Sequence, residues 1–262
     1  ACIKLLSKAK VLCVGDIILD KFVYGDVERI SPEAPIPVFN IKSDKLMLGG
    51  AGNVASNLSG LGAKTRFITV VGNDLAGNDV KKLITAIPNM AATLISEKER
   101  RTSIKTRYIA GGQQMMRTDD ETIALIKKGT KQRILKLIDS ALNNYNVLVI
   151  ADYAKGVLTP DLIKQLIKIA KKIKIPVIVD PQGSNYTPYK GVDIVTPNRK
   201  ELALATGMPA DSDKQIRLAA NKLISDHNIK SILATRSGDG MTLINSNGFN
   251  TYQAEAQEIF DV

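Results

Sequence analysis

A chain of 262 residues, 44% of them hydrophobic, is long enough to bury roughly 70–75% of the surface its unfolded form exposes, in one large core or two modest ones. Its net charge of +10 favours anionic partners, yet the lysines lie scattered in pairs such as Lys81-Lys82 and Lys127-Lys128. Aromatic residues are only 5% of the chain, so no nucleic-acid platform is expected. No run approaches 18 apolar residues, which argues against a membrane span, and a single histidine, His227, rules out a multi-histidine metal site.

In chain order, short β-rich apolar runs alternate with longer segments of helical period, the pattern of parallel strands joined by crossover helices. The start ACIKLLSKAKVLCVG leads straight into a core strand at 10–14 with no cleavage-type signal, so a cytoplasmic protein is expected. Within that strand Cys13 reads as a buried, inert thiol, and neither it nor Cys2 belongs to a C-x-x-C pair. Further strands are predicted at 65–71, 147–151, 176–180, 193–196 and 231–235, and helices at 52–61, 75–87, 131–143, 161–172, 199–206 and 214–225. Thr159 is a candidate N-cap, with Pro160 at the first helical position, where its missing N–H costs nothing.

Two segments interrupt the alternation. Residues 26–48, with Pro32, Pro35 and Pro37, are too long and proline-rich for an ordinary βα loop, and Ile36-Pro37-Val38-Phe39-Asn40-Ile41 reads as an edge-type strand. Residues 102–117 read as a hairpin around Gly111-Gly112. Together they predict a small β lid on a doubly wound α/β sheet. No repeat, low-complexity tract or linker divides the chain, so residues 1–262 are expected to form a single domain.

The stretch Gly49-Gly50-Ala51-Gly52-Asn53-Val54-Ala55 contains G-x-G-x-x-A, the dinucleotide-loop pattern, and Asp74 follows at the distance of a ribose-binding acid. The context is wrong for that reading. A dinucleotide loop follows a buried strand, whereas Lys42-Ser43-Asp44-Lys45-Leu46-Met47-Leu48 holds only three apolar residues. Two alternatives remain open at this point. The glycines admit a ligand close to the main chain, with Asn53 and the carboxylates of Asp16 and Asp20 offered to the hydroxyls of a polyol, or they merely let a helix pack tightly on the sheet.

These residues, with the rest of the chain, resemble the ribokinase-like (PfkB) carbohydrate kinases. The landmarks in order are Gly15-Asp16 with Asp20, Gly49–Asn53 continuing to Asn57-Leu58-x-x-Leu61-Gly62, Asp152-Tyr153-x-Lys155-Gly156 and Asp180-Pro181. Thr196-Pro197-Asn198-x-x-Glu201, Thr235-Arg236-Ser237-x-x-Gly240-Met241 and Asp261-Val262 follow. Arg29-Ile30-Ser31-Pro32-Glu33-Ala34-Pro35-Ile36-Pro37-Val38, Gln113-Gln114 with Arg117, and Ala151–Gly156 are most similar to the heptose 7-phosphate kinases of ADP-heptose synthesis. Gln182 departs from that pattern, which often has lysine after Asp-Pro.

The resemblance implies a doubly wound, mostly parallel α/β fold with helices on both faces and a β-strand lid, and the ATP-dependent phosphorylation of a phosphorylated heptose at its anomeric hydroxyl. It implies that Asp16, Asp20, Gly49, Gly50 and Asn53 hold the sugar, with Arg117 and Asp152 beside them, and that Lys105, Arg107, Arg117 and Lys155 face its phosphate, since a dianion needs cationic partners. Thr235, Ser237, Gly238 and Gly240 are expected along the nucleotide, and Asn198 and Glu201 around a hydrated Mg²⁺. The letters N-x-x-E also make a helix capping box. The family's T-G-A-G-D motif, which carries the general base, is absent, so the base is expected shortly after Val262. A kinase of another sugar or nucleoside, and a sugar- or nucleotide-binding chain without catalysis, are the alternatives. A homodimer paired through the lid is the expected assembly.

Overall fold

The computed structural model describes residues 5–255, so Cys2, Asp261 and Val262 lie outside the described residues. The chain divides into two compact units: one formed mainly by Gly15–Leu125 with Lys155–Val157, the other by Lys10–Val14, Ile126–Ala154 and the chain from Leu158 onward.

The second unit carries the alternating β/α pattern. Its strands lie in the order Gly248–Tyr252, Met241–Asn245, Ser231–Thr235, Ile194–Val195, Val177–Asp180, Val147–Ala151 and Lys10–Gly15. The four from Val147–Ala151 to Ser231–Thr235 are parallel, and the last two in sequence add an antiparallel edge. Leu12, Cys13, Val14, Leu148, Ile150 and Val179 are fully buried, as near-continuous apolar runs require when both faces of a parallel sheet are covered. Burial pushes the Cys13 thiol up to about 12, with the charge of Asp180 adding to the effect. Native Cys13 is therefore expected to resist alkylation at pH 8 and to react on unfolding, which site-resolved mass spectrometry would show.

Helix Pro160–Lys172 shows why this sequence is helical. Leu162, Ile163, Leu166, Ile167 and Ala170 form one buried stripe, and Lys171 and Lys172 in the last turn suit the negative end of the helix dipole. The Thr159 hydroxyl accepts from the Leu162 N–H at 3.1 Å, and Pro160 opens the helix, as expected. Thr159→Ala is expected to cost about 1 kcal/mol by removing this cap, as measured by urea denaturation. Helix Asp213–His227 starts with a Ser212–Gln215 capping box and ends on Asn228 at φ 51°, a left-handed residue that asparagine tolerates.

The first unit holds the parallel pair Lys64–Gly72 and Met90–Glu97, helices Ala51–Gly60 and Leu75–Thr85, and a separate four-stranded sheet. That sheet has the order Pro37–Gly50, Ile17–Ile30, Ser103–Ala110, Gln113–Asp120. The hairpin around Gly111 and Gly112 forms as expected: both have positive φ, 57° and 77°, the geometry a two-residue turn needs to match strand twist.

The other lid segment differs from expectation. In place of a short edge strand at 36–41 there are two 14-residue strands, Ile17–Ile30 and Pro37–Gly50, paired antiparallel, and Asp20 lies inside the first of them. Register shifts at Tyr24/Gly25 and Val27/Arg29 break the period-2 alternation, which hides both strands from a pattern search. Three further strands, Met90–Glu97, Met241–Asn245 and Gly248–Tyr252, are absent from the sequence reading because each is an edge or near-edge element with exposed positions. The remaining elements agree within a few residues, the strand at 193–196 shrinking to Ile194–Val195. No helix among the described residues is long and apolar enough to cross a membrane.

Candidate substrate and nucleotide sites

In the first unit the glycine stretch joins the exposed strand Pro37–Gly50 to helix Ala51–Gly60. Its three glycines serve three different ends. A Cβ on Gly49 would lie 2.1 Å from the Asp20 Oδ2, so that carboxylate occupies the space a side chain would fill. Gly50 has φ 54° and a Cβ there would meet the Asp16 carbonyl at 2.6 Å, so it turns the chain tightly enough for the Ala51 N–H to donate to Asp16 O at 2.9 Å. A Cβ on Gly52 would lie 2.2 Å from the Ile17 Cδ1, so this glycine lets the helix pack closely on that side chain. Asn53 is exposed in the first turn of the helix, its Oδ1 accepting from Asn57 Nδ2 at 3.4 Å.

Asp16 is fully buried and its Oδ1 accepts from the Val157 N–H at 2.9 Å. Asp20 Oδ1 accepts from Arg107 Nη1 at 2.6 Å, and the Arg107 guanidinium sits 5.2 Å from the Phe22 ring centroid. Arg107 stands directly across from Arg117 in the sheet, a like-charge pairing that costs stability unless each cation has a partner. Each does: Arg107 has Asp20, and Arg117 has Asp119 at 3.0 Å. Lys155 is likewise held by Glu121 at 2.7 Å, both side chains being largely buried. Of the four cations assigned to a substrate phosphate, three are thus already neutralised, and Lys105 alone carries no ion pair among the described residues. The sequence shows the cations but not these carboxylate partners, which lie 2 to 87 positions away.

Asp74, the would-be ribose acid, has a structural task. It caps helix Leu75–Thr85 by accepting from the Gly77 N–H at 2.8 Å, and it accepts from the Thr102 N–H at 2.8 Å and Thr102 Oγ1 at 2.7 Å.

In the second unit, Asn198 and Glu201 form a complete capping box on helix Arg199–Thr206: Asn198 Oδ1 accepts from the Glu201 N–H at 2.9 Å and Glu201 Oε2 from the Asn198 N–H at 2.8 Å. Burial raises the Glu201 carboxyl above its ordinary range; the Asn198 N–H opposes this and the charge of Asp180 adds to it. Asp180 is itself raised by burial, although Tyr153 Oη at 2.8 Å and Thr196 Oγ1 at 3.1 Å donate to it. No cation among the described residues lowers these two carboxyls, and their oxygen donors fit a hard divalent cation. Among the described residues no three His, Cys, Asp or Glu side chains gather into a protein cage for a metal.

Thr235 ends strand Ser231–Thr235, where its N–H donates to Pro197 O at 2.9 Å and so places it beside Asn198. The turn that follows puts Ser237 at φ 53° and Gly240 at φ 85°, and a Cβ on Gly240 would meet the Tyr252 carbonyl at 2.0 Å. Arg236, almost fully buried, fastens this turn through Asp213 and through the Asp239 carbonyl at 2.7 Å, while Arg199 pairs with the Asp239 carboxylate. Gly238 is exposed within it. Asp152 is held rather than open: its Oδ1 accepts from the Ala154 N–H at 2.9 Å and its Oδ2 from Tyr189 Oη at 2.8 Å. Gln182 is exposed. In the sequence Tyr153 and Arg236 are only letters of the family pattern, and Tyr189 has no local signal at all, because their partners come from other elements.

A model of the pfkB family carbohydrate kinases matches residues 8–262. Two curated relatives, each named bifunctional protein HldE, from Rhodospirillum rubrum and Paramagnetospirillum magneticum, are 45% and 47% identical over 258 residues. Those alignments cover 98% of this chain but 52% and 53% of the relatives, so the chain spans about half their length. The structure of Arabidopsis thaliana ribokinase complexed with ribose and ATP superposes with a TM-score of 0.74 at 18% identity, over 96% of this chain and 80% of that one. Escherichia coli phosphofructokinase-2 in complex with fructose-6-phosphate gives 0.73 at 17% identity, over 95% and 81%. Those likenesses establish a ribokinase-like α/β fold. With the family match running over nearly the whole chain, this protein belongs to the pfkB family of carbohydrate kinases.

Proposed function

We propose that the chain is an ATP-dependent kinase that phosphorylates the anomeric hydroxyl of D-glycero-D-manno-heptose 7-phosphate, giving heptose 1,7-bisphosphate and ADP for lipopolysaccharide core assembly in the cytoplasm. The observation that carries this reading is the 45–47% identity to bifunctional HldE proteins along 98% of the chain. Asp16, Asp20, Gly49, Gly50 and Asn53 take the sugar, and Asp152 is a further substrate residue of this proposal. Lys105, without an ion pair among the described residues, takes its phosphate, and Arg107, Arg117 and Lys155 contribute by exchanging a carboxylate partner for a phosphate oxygen.

Thr235, Ser237, Gly238 and Gly240 line the nucleotide. Asn198 and Glu201 hold hydrated Mg²⁺, whose charge, when bound, neutralises the transferring phosphoryl group. The raised carboxyls of Glu201 and Asp180 support a cation there.

A coupled ADP-release assay on the full-length protein tests this. Turnover with heptose 7-phosphate well above that with ribose, fructose or a nucleoside is the expected result. Preference for one of those, or binding without turnover, would overturn the substrate assignment or the catalytic one. A homodimer is proposed to form through the four-stranded sheet, a reading supported by the exposure of Ile30, Ile41, Met47, Met115 and Met116. Ile41→Glu combined with Met115→Glu is expected to shift sedimentation from dimer to monomer.

A further inference from the structure

Arg100 is a charged residue in the interior of the first unit, its side chain only 5% exposed, and no sequence motif singles it out. Its Nε faces Glu97 Oε2 at 3.4 Å, and Glu97 is also buried. Its Nη1 donates to the carbonyls of Lys155 at 3.0 Å and Thr122 at 3.3 Å, and its Nη2 to the carbonyl of Ala124. One planar guanidinium therefore ties together two stretches of chain some thirty positions apart, 122–124 and 155, a geometry its rigid fork of donors suits and a lysine ammonium does not.

What those stretches carry gives the clamp its meaning. Two residues after Lys155, the Val157 N–H donates to Asp16 Oδ1 at 2.9 Å. Between them Gly156, at φ 88°, passes so close to the Ala124 carbonyl that a Cβ there would lie 2.3 Å from it. Lys155 reaches back to Glu121, which immediately precedes the other clamped stretch.

We infer that Arg100 is a positioning residue for the sugar site: by fixing 122–124 against Lys155–Val157 it holds the Val157 N–H on Asp16 and the Lys155–Glu121 pair in place. The role rests on the reading of Asp16 as a sugar ligand. It adds that the orientation of this buried carboxylate is set by an arginine that never touches the substrate. A guanidinium buried only for stability would leave sugar and ATP affinities of the folded enzyme alike; one that aims Asp16 affects the sugar alone.

The test uses the full-length protein with Arg100→Lys, Arg100→Gln and, as an independent disturbance of the same contact, Gly156→Ala. Expected are a rise in KM for the sugar of about 10- to 100-fold with KM for ATP within about twofold of wild type, smallest for Arg100→Lys, and faster hydrogen exchange at the Val157 amide. Unaltered exchange at Val157, or parallel changes in both KM values, would overturn the inference. KM is read on whichever sugar the wild type phosphorylates, and the Val157 amide reports without any substrate, so a wrong heptose assignment and a wrong role for Arg100 give different results.

Discussion

Gly49→Ala is expected to raise the sugar KM of the full-length enzyme by about 10- to 100-fold while leaving KM for ATP unchanged and the fold largely intact. The new Cβ would meet Asp20 Oδ2 at 2.1 Å and Asp20 Cγ at 2.8 Å, and both belong to a side chain that can rotate away. Rotation breaks the 2.6 Å bond from Arg107 to Asp20 and leaves Arg107 facing Arg117 without its partner. Gly50→Ala is the informative contrast. There the obstacle is the Asp16 backbone carbonyl at 2.6 Å and φ is 54°, so no side-chain rotation relieves it. That variant is expected to lose about 1–2 kcal/mol or more from backbone strain alone, seen as a lowered denaturation midpoint. Steady-state kinetics and urea titration of the two variants separate a glycine kept for a ligand-binding carboxylate from one kept for a turn. Equal loss of stability in both would contradict this division.

Asp74→Ala is expected to destabilise the protein by about 2–3 kcal/mol, since it removes a helix cap and charge-assisted bonds to Thr102 together. Asp74→Asn, which keeps one acceptor oxygen, is expected to lose roughly half as much. The effect depends on pH in a definite direction. Partial burial works to raise the Asp74 carboxyl, but the Thr102 and Gly77 N–H groups and the Thr102 hydroxyl together hold it below its usual value. A carboxyl lowered in the folded state contributes stability that is fully present above its unfolded pKa of about 3.9 and is lost as pH falls through the folded value. Wild type and Asp74→Ala should therefore differ most near neutral pH and converge toward pH 2, which chemical denaturation across that range would show. A difference that stays constant from pH 7 to pH 2 would assign the loss to packing instead.

The parallel strands and their helices were legible in the sequence because each carries its signal locally. Val147–Ala151 is an apolar run with four of its five residues buried, Ser231–Thr235 alternates with Ile232 and Ala234 buried, and Pro160–Lys172 carries its buried stripe, cap and proline within fourteen consecutive positions. The strands Ile17–Ile30 and Pro37–Gly50 were not legible at their true length. They are half exposed and carry bulges, so neither hydrophobicity nor period identifies them, and pairing between chain-distant residues decides where they begin and end.

The candidate site divides in the same way. Sequence alone determined which residue types are available: three glycines in a tight stretch, aspartates at 16 and 20, a basic hairpin, and an N-x-x-E at a helix start. Only the tertiary structure decided what each of them does. It set Asp20 against Gly49 and Arg107, Asp74 on Thr102 and Glu121 on Lys155, and it bonded Arg100 to the chain that holds Asp16. The reason is physical: a helix cap or an apolar run is satisfied by neighbours in sequence, whereas a buried charge takes whatever partner the folded chain brings within bonding distance.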